Sequence, residues 1–138
     1  DEFNTADEIV EFLVSFIINA FSRNSTNKAQ NMIEKIEEYI KSHFAENITL
    51  EQISDVFSIN YSYLSRIFKE KTHTSFTEYL NGIRLKKARE LLETTGLSIT
   101  NIAVYVGFND HQYFSKVFKK NVSITPQEYR SCHFRLEK

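Results

Sequence analysis

The stretch Tyr63-Leu64-Ser65-Arg66-Ile67-Phe68-Lys69 returns fifty residues later as Tyr113-Phe114-Ser115-Lys116-Val117-Phe118-Lys119. In both copies the apolar residues stand three and four apart, which predicts a helix with one buried side. The likeness extends in both directions. Upstream, Ile53 matches Ile102 and Asn60 matches Asn109 at an offset of 49, so one residue is inserted before the quoted stretch. Downstream, Glu78-Tyr79 matches Glu128-Tyr129. Each copy reads as a short capped helix, a turn of three or four residues and a second helix, which is a helix-turn-helix. The first copy covers about 49–72 and the second about 98–121.

Capping signals extend this reading. Thr49-Leu50-Glu51-Gln52 fits a capping box opening a short helix with Leu50, Ile53, Val56 and Phe57 inward. Asn60 and Asn109 are expected to cap the second helices of the two copies. Ser75-Phe76-Thr77-Glu78 opens a long helix over about 76–94, for which Gly96 is the expected stop. Ser98 caps a short helix, and Gly107 suits the turn after it. Thr125-Pro126-Gln127-Glu128 combines an N-cap with Pro at the first helical position. Further upstream, an apolar stripe from Met32 to Phe44 predicts a helix over about 29–44, and Ile9, Phe12, Leu13, Phe16, Ile17 and Phe21 predict another over about 6–22. Between them Asn24-Ser25-Thr26-Asn27 reads as a polar linker, so residues 1–27 are expected to be an N-terminal helix and linker and 28–138 the main domain. The expectation is an all-α chain of about eight helices. With only 3 Gly and 1 Pro it lacks the turn residues that an all-β fold needs. Apolar residues at 41%, including 12 Phe, suffice for a packed core.

Composition also narrows function. A single cysteine, Cys132, excludes an internal disulfide framework and a multi-cysteine zinc site. His43, His73, His111 and His133 have no metal-like spacing, and no Ser/His/Asp set, glycine loop or carboxylate pair suggests an enzyme or a cofactor. The most apolar run, Ile9 to Phe21, is 13 residues with Glu11 inside it, too short and too polar to span a bilayer. The chain begins at Asp1 and its one Met is Met32, so it is expected to be a piece of a longer protein. The net charge of −1 hides an asymmetry: residues 1–60 carry 11 acids and 4 bases, residues 61–138 carry 7 acids and 13 bases. A basic half can hold an electrostatic footprint for phosphates.

The outward faces of the two second helices bear on function most. One offers Ser62, Ser65, Arg66 and Lys69; the other offers His111, Gln112, Ser115, Lys116 and Lys119. Hydroxyls, an amide and long cations can reach base edges and phosphates in a major groove. The same repeat also fits a duplicated helical bundle. For the helix around Ile9 to Phe21, two uses stand side by side: packing on the core of its own domain, or dimerisation and signal transmission.

With these residues in place, the chain resembles the DNA-binding domain of the AraC/XylS family of bacterial transcription regulators. The resemblance covers about Lys28 to Arg130 and is densest over Gly107-Phe108, Tyr113 to Lys120 and Thr125 to Arg130. The first copy adds Tyr63 to Lys69, Ser75 to Leu80 and Arg84-Leu85-Lys86-Lys87-Ala88. The family usually has Gly at the turn positions held here by His73 and Ser123. A residue with a side chain there costs about 1 kcal/mol or reshapes the turn. The N-terminal piece resembles the helix leading into output domains of two-component response regulators, which implies a phosphoacceptor domain upstream, with a ligand-sensing domain as the competing reading.

The resemblance implies two helix-turn-helix units joined by the 76–94 helix, with their second helices in successive major grooves about 34 Å apart. Carried over by position, the base readers are Ser62, Ser65 and Arg66 in the first unit and His111, Gln112, Tyr113, Ser115 and Lys116 in the second. Arg66 suits guanine and Gln112 suits adenine. Lys69, Lys119 and Lys120 are implied at phosphates, with the helix starts at Thr49 and Ser98. Implied partners are double-stranded DNA, RNA polymerase and a second copy joined through the N-terminal helix or an upstream domain, all in the cytoplasm and away from membranes. The alternative is a protein-interaction module that docks on RNA polymerase or another regulator without DNA specificity of its own.

Overall fold

Short polar side chains start most of the helices. The computed structural model describes residues 6–134, with the backbone alone over 19–26. Among the described residues seven helices follow one another: α1 (Ala6–His43), α2 (Leu50–Val56), α3 (Tyr61–Thr72), α4 (Phe76–Thr94), α5 (Ile99–Tyr105), α6 (His111–Val122) and α7 (Pro126–His133). None of these helices is long and apolar enough to cross a membrane. The chain divides into two compact units, Asp1–Ile36 and Glu37–Lys138.

The N-terminal unit is helical from Ala6 onward. Its stripe of Ile9, Phe12, Leu13, Phe16 and Ile17 is exposed, between 45% and 65%. The side chain of Phe21 lies outside the described residues. The polar linker expected at Asn24–Asn27 is not a break: the backbone is helical through it, so two expected helices are one and eight become seven. Neither Gly nor Pro interrupts that stretch. Asn, Ser and Thr each cost about 0.7 kcal/mol or less in a helix, and an existing helix propagates through them.

In the second unit the expected caps hold with one exception. Thr49 Oγ1 accepts from the Gln52 backbone N–H and Gln52 Oε1 accepts from that of Thr49, both at 3.2 Å. Asn60, Ser75, Ser98 and Thr125 each accept from the N–H three residues on. The exception is α6, capped by Asp110 rather than Asn109: the Asp110 carboxylate accepts from Gln112 N–H at 2.8 Å. The residue inserted in the second copy moves the helix start by one position. Gly96 is not the stop of α4 either. The cap is Thr95, in extended conformation, whose hydroxyl donates to Leu91 O at 2.6 Å. Val56, expected inward, is 57% exposed, since the buried side of this short helix is made by Leu50, Ile53 and Ser54.

Both copies build the turn after their first helix in the same way. Ser58 N–H donates to Asp55 O and Ile59 N–H to Ser54 O; Gly107 N–H donates to Val104 O and Phe108 N–H to Ala103 O. This paired bonding closes a helix end around one left-handed residue, and φ is 54° at Ser58 and 105° at Gly107. The second helices end alike, with His73 at φ 63° and Ser123 at φ 75°. Those are the two positions where the family usually has Gly, and the turns form in spite of the side chains.

Helix α4 is shared by both copies, packing on α3, α5 and α7. Leu80 is buried near its start, while Leu85, Ala88 and Leu92 enter a core with Ile102, Val106, Phe108, Phe114, Phe118 and Tyr129. Matching ring pairs anchor the two copies: Phe68 on Tyr79 at 5.4 Å and Phe118 on Tyr129 at 5.6 Å, both edge to face. Such pairs add about 0.5–1.5 kcal/mol beyond the area that they bury.

Candidate nucleic-acid interface

Helices α3 and α6 are amphipathic in the same sense. On α3, Leu64, Ile67 and Phe68 are buried, and Ser62, Ser65, Arg66 and Lys69 are exposed. On α6, Phe114 and Phe118 are fully buried, and His111, Gln112, Tyr113, Lys116, Lys119 and Lys120 are exposed. Ser115 departs from the expected outward set, being half-buried. Burial of the ring side fixes the rotation of each helix, so the polar side must face solvent.

The first turns of α3 and α6 carry no acid, and the last turns carry Lys69 with Lys71 and Lys119 with Lys120. Cations there complement the negative end of the helix dipole, and Lys69, Lys119 and Lys120 are also exposed, where a phosphate can be met. Arg66 packs its guanidinium 5.6 Å from the centre of the Tyr63 ring. That contact restrains a long side chain before any partner arrives. Tyr113 is held from two sides, with its ring 6.0 Å from that of Phe108 and its hydroxyl accepting from Asn81 Nδ2 at 3.4 Å.

Several of the expected site residues meet in open clefts. Thr49, Ser65 and Tyr113 line one cleft together with Asn81 and Tyr61. Lys116 and Lys120 line a second with Tyr113, Thr74 and Thr77. Arg66 and Lys69 share a third with Glu70. Thr49 and Ser98 cap the short helices α2 and α5, and the oxygens of both already accept from backbone N–H groups of those helices.

Asn81 and Arg84 were not among the expected site residues. Asn81 gave no sequence signal beyond a polar residue in a long helix. Arg84 did give one, because it stands four residues from both Leu80 and Ala88 on the inward line of α4. It is 9% exposed. Its Nε donates to Phe44 O at 2.8 Å and its Nη2 to Glu46 O at 2.9 Å. Burial lowers its pKa from the usual arginine value, and the negative charge that Tyr113 can develop opposes this. An arginine starts so far above neutrality that the group remains a cation. Among the described residues no group of three or more His, Cys, Asp or Glu is placed to hold a metal ion.

A family model described as a helix-turn-helix domain matches residues 53–131. Among solved structures, the C-terminal domain of AraT, a response regulator from Geobacillus stearothermophilus, is 36% identical with a TM-score of 0.74, covering 77% of this chain and 88% of that one. The C-terminal domain of the two-component response regulator yesN from Fusobacterium nucleatum is 38% identical with a TM-score of 0.61, covering 78% and 98%. The HTH-type transcriptional activator RhaS of an Enterobacter species is 39% identical over 98 residues, which are 71% of this chain and 35% of that protein. The chain thus spans about a third of the length of that curated relative.

Proposed function

Because the chain belongs to the AraC/XylS family of helix-turn-helix DNA-binding domains, we propose that residues 28–138 form a unit that lays α3 and α6 into successive major grooves on one side of a DNA duplex and so regulates bacterial transcription in the cytoplasm. The observation that carries this reading is the matched pair of amphipathic helices, each with rings buried and cations exposed, joined by the hydroxyls of Ser62 and Ser65 on α3 and by the Gln112 amide on α6.

In this reading Ser62, Ser65 and Arg66 read bases from α3, and His111, Gln112, Tyr113, Ser115 and Lys116 read them from α6. Arg66 offers two parallel donors to guanine O6 and N7, and the Gln112 amide pairs with adenine. Short Ser62 and Ser65 act at bases through water. Lys69, Lys119 and Lys120, with the helix starts at Thr49 and Ser98, hold phosphates and set register without carrying sequence information. Selection of bound duplexes from a random pool, repeated over a salt series, tests the reading. The expected result is a motif with two parts about 10 bp apart and an affinity that falls steeply with salt. Recovery of no preferred sequence would favour a protein-docking module instead.

The activator and response-regulator relatives support a role as the activating output part of a longer regulator that receives a signal from an upstream domain, and contact with RNA polymerase is a further part of the proposal. The exposed stripe of Ile9, Phe12, Leu13, Phe16 and Ile17 supports pairing of two copies through the N-terminal helix. Sedimentation of the chain with and without residues 1–24 checks this: self-association is expected only when they are present, and a monomer at every concentration would contradict it.

A further inference from the structure

Three elements meet at one oxygen. The carbonyl of Phe44, just past the end of α1, accepts from Arg84 of α4 at 2.8 Å. A Cβ placed on Gly107, in the α5–α6 turn, would lie 2.8 Å from the same oxygen and 2.9 Å from Arg84 Nε. Only a residue without a side chain lets the turn close this far, and at φ 105° only glycine is at ease. Arg84 extends the junction with a second bond to Glu46 O and lies 5.5 Å from the centre of the Phe108 ring. Phe108 in turn packs on Phe114, the buried root of α6, at 5.2 Å. A continuous line of contacts therefore runs from the segment entering the first helix-turn-helix, through α4, to the second recognition helix.

The chemistry of this junction is unusual for a core. Arg84 is the one charged residue among the buried side chains described, and its hydrogen bonds go to carbonyls rather than to a carboxylate. A buried cation costs free energy that an apolar residue would not. What it gains is direction: a planar fork bonds two carbonyls at fixed angles, and its face lies against a ring. The hydrogen bond between α4 and α6, from Asn81 to Tyr113, is longer at 3.4 Å.

We propose that Arg84 is a positioning residue for DNA recognition, which locks the Phe44–Glu46 segment and the Gly107–Phe108 turn onto α4 and thereby sets the spacing at which α3 and α6 engage one duplex. The proposal rests on the reading of α3 and α6 as simultaneous readers of DNA. Arg84 itself touches no base in this account; it acts through the recognition helices.

The test is selection from a random duplex pool with the 138-residue chain, Arg84→Gln and Arg84→Lys, each first checked for a cooperative thermal transition. The wild-type chain is expected to recover two short motifs at one spacing. Arg84→Gln should recover the same two motifs with unchanged base preferences but at several spacings, and bind the wild-type duplex about tenfold more weakly, as expected when two linked contacts lose their fixed geometry. Arg84→Lys keeps the charge but cannot bond both carbonyls in a fixed fork, so its spacings should spread as well. If Arg84→Gln does not melt cooperatively, Arg84→Lys decides by the same criterion. Retention of the single wild-type spacing by the folded variants would overturn the proposal and leave Arg84 a stabilising residue only. A one-part motif from the wild-type chain would instead remove the two-groove reading, and the proposal with it.

Discussion

The two helix-turn-helix copies share caps, ring pairs and turn bonding, yet their first turns do different work. In the first copy the left-handed residue is Ser58, exposed at the surface. In the second it is Gly107, pressed against Phe44 O and Arg84. One hydrogen-bond pattern thus serves as a surface turn in one copy and as a packed junction in the other. A repeat preserves local geometry, while the segments packed against each copy decide which positions tolerate a side chain.

Substitution at the two turns should separate them most widely. Gly107→Ala must place a Cβ within 3 Å of Phe44 O at an unfavourable φ, and backbone strain plus overpacking should cost about 4 kcal/mol. Ser58→Ala, at the matching position, should stay within about 0.5 kcal/mol. Urea unfolding of both variants reads the contrast, and equal losses would break it.

The ring pairs differ in a subtler way. Tyr129 donates its hydroxyl to Glu93 at 2.5 Å. Its pKa is raised above that of a free tyrosine first by burial and then by this bond and the Glu93 charge. Burial, then Glu37, also raises Tyr79. Tyr129→Phe should cost about 2 kcal/mol, the size of a hydrogen bond to a charged group, and Tyr79→Phe less. Because the folded state holds the Tyr129 proton more tightly than the unfolded chain, this stabilisation is complete below pH 10 and is lost as pH rises through the folded value. Unfolding free energies measured between pH 8 and 12 should show a decline that Tyr129→Phe reduces; an unchanged profile would contradict the assignment.

Among the outward residues, Arg66→Ala should cost about 1–3 kcal/mol of binding and relax preference at one base pair. An unchanged selected motif would remove Arg66 from the readers. The smallest effects belong to the second turns, where the copies agree. His73→Gly and Ser123→Gly each relieve a left-handed residue and should stabilise by about 1 kcal/mol. Thermal melts showing a gain in one copy only would mean that the turns are less alike than their φ values.

Most of the fold could be read from the sequence because helix starts are written in local chemistry. Thr49, Asn60, Ser75, Ser98 and Thr125 cap where their spacing places them. Two of the misreadings share a cause, since each involved two neighbouring residues able to do one job. Asp110 took the cap from Asn109, and the Thr95 hydroxyl ended α4 before Gly96. Asn24–Asn27 looked like a linker only because polarity was taken for a break, when the flanking helix carries through it. The outward faces of α3 and α6 were also legible, since period and burial fix them together. The Arg84 junction was not, because its partners are backbone carbonyls 40 and 38 residues away, which no side-chain pattern encodes.

In the proposed function the two copies grip one face of a duplex as a single rigid reader. Inserting 5 bp between the two parts of the selected motif tests it most directly, by turning one part about half a helical turn away. Fluorescence anisotropy with the wild-type chain should then show an affinity no better than for a duplex carrying one part alone. Equal affinity for the original and the re-spaced duplex would contradict the account.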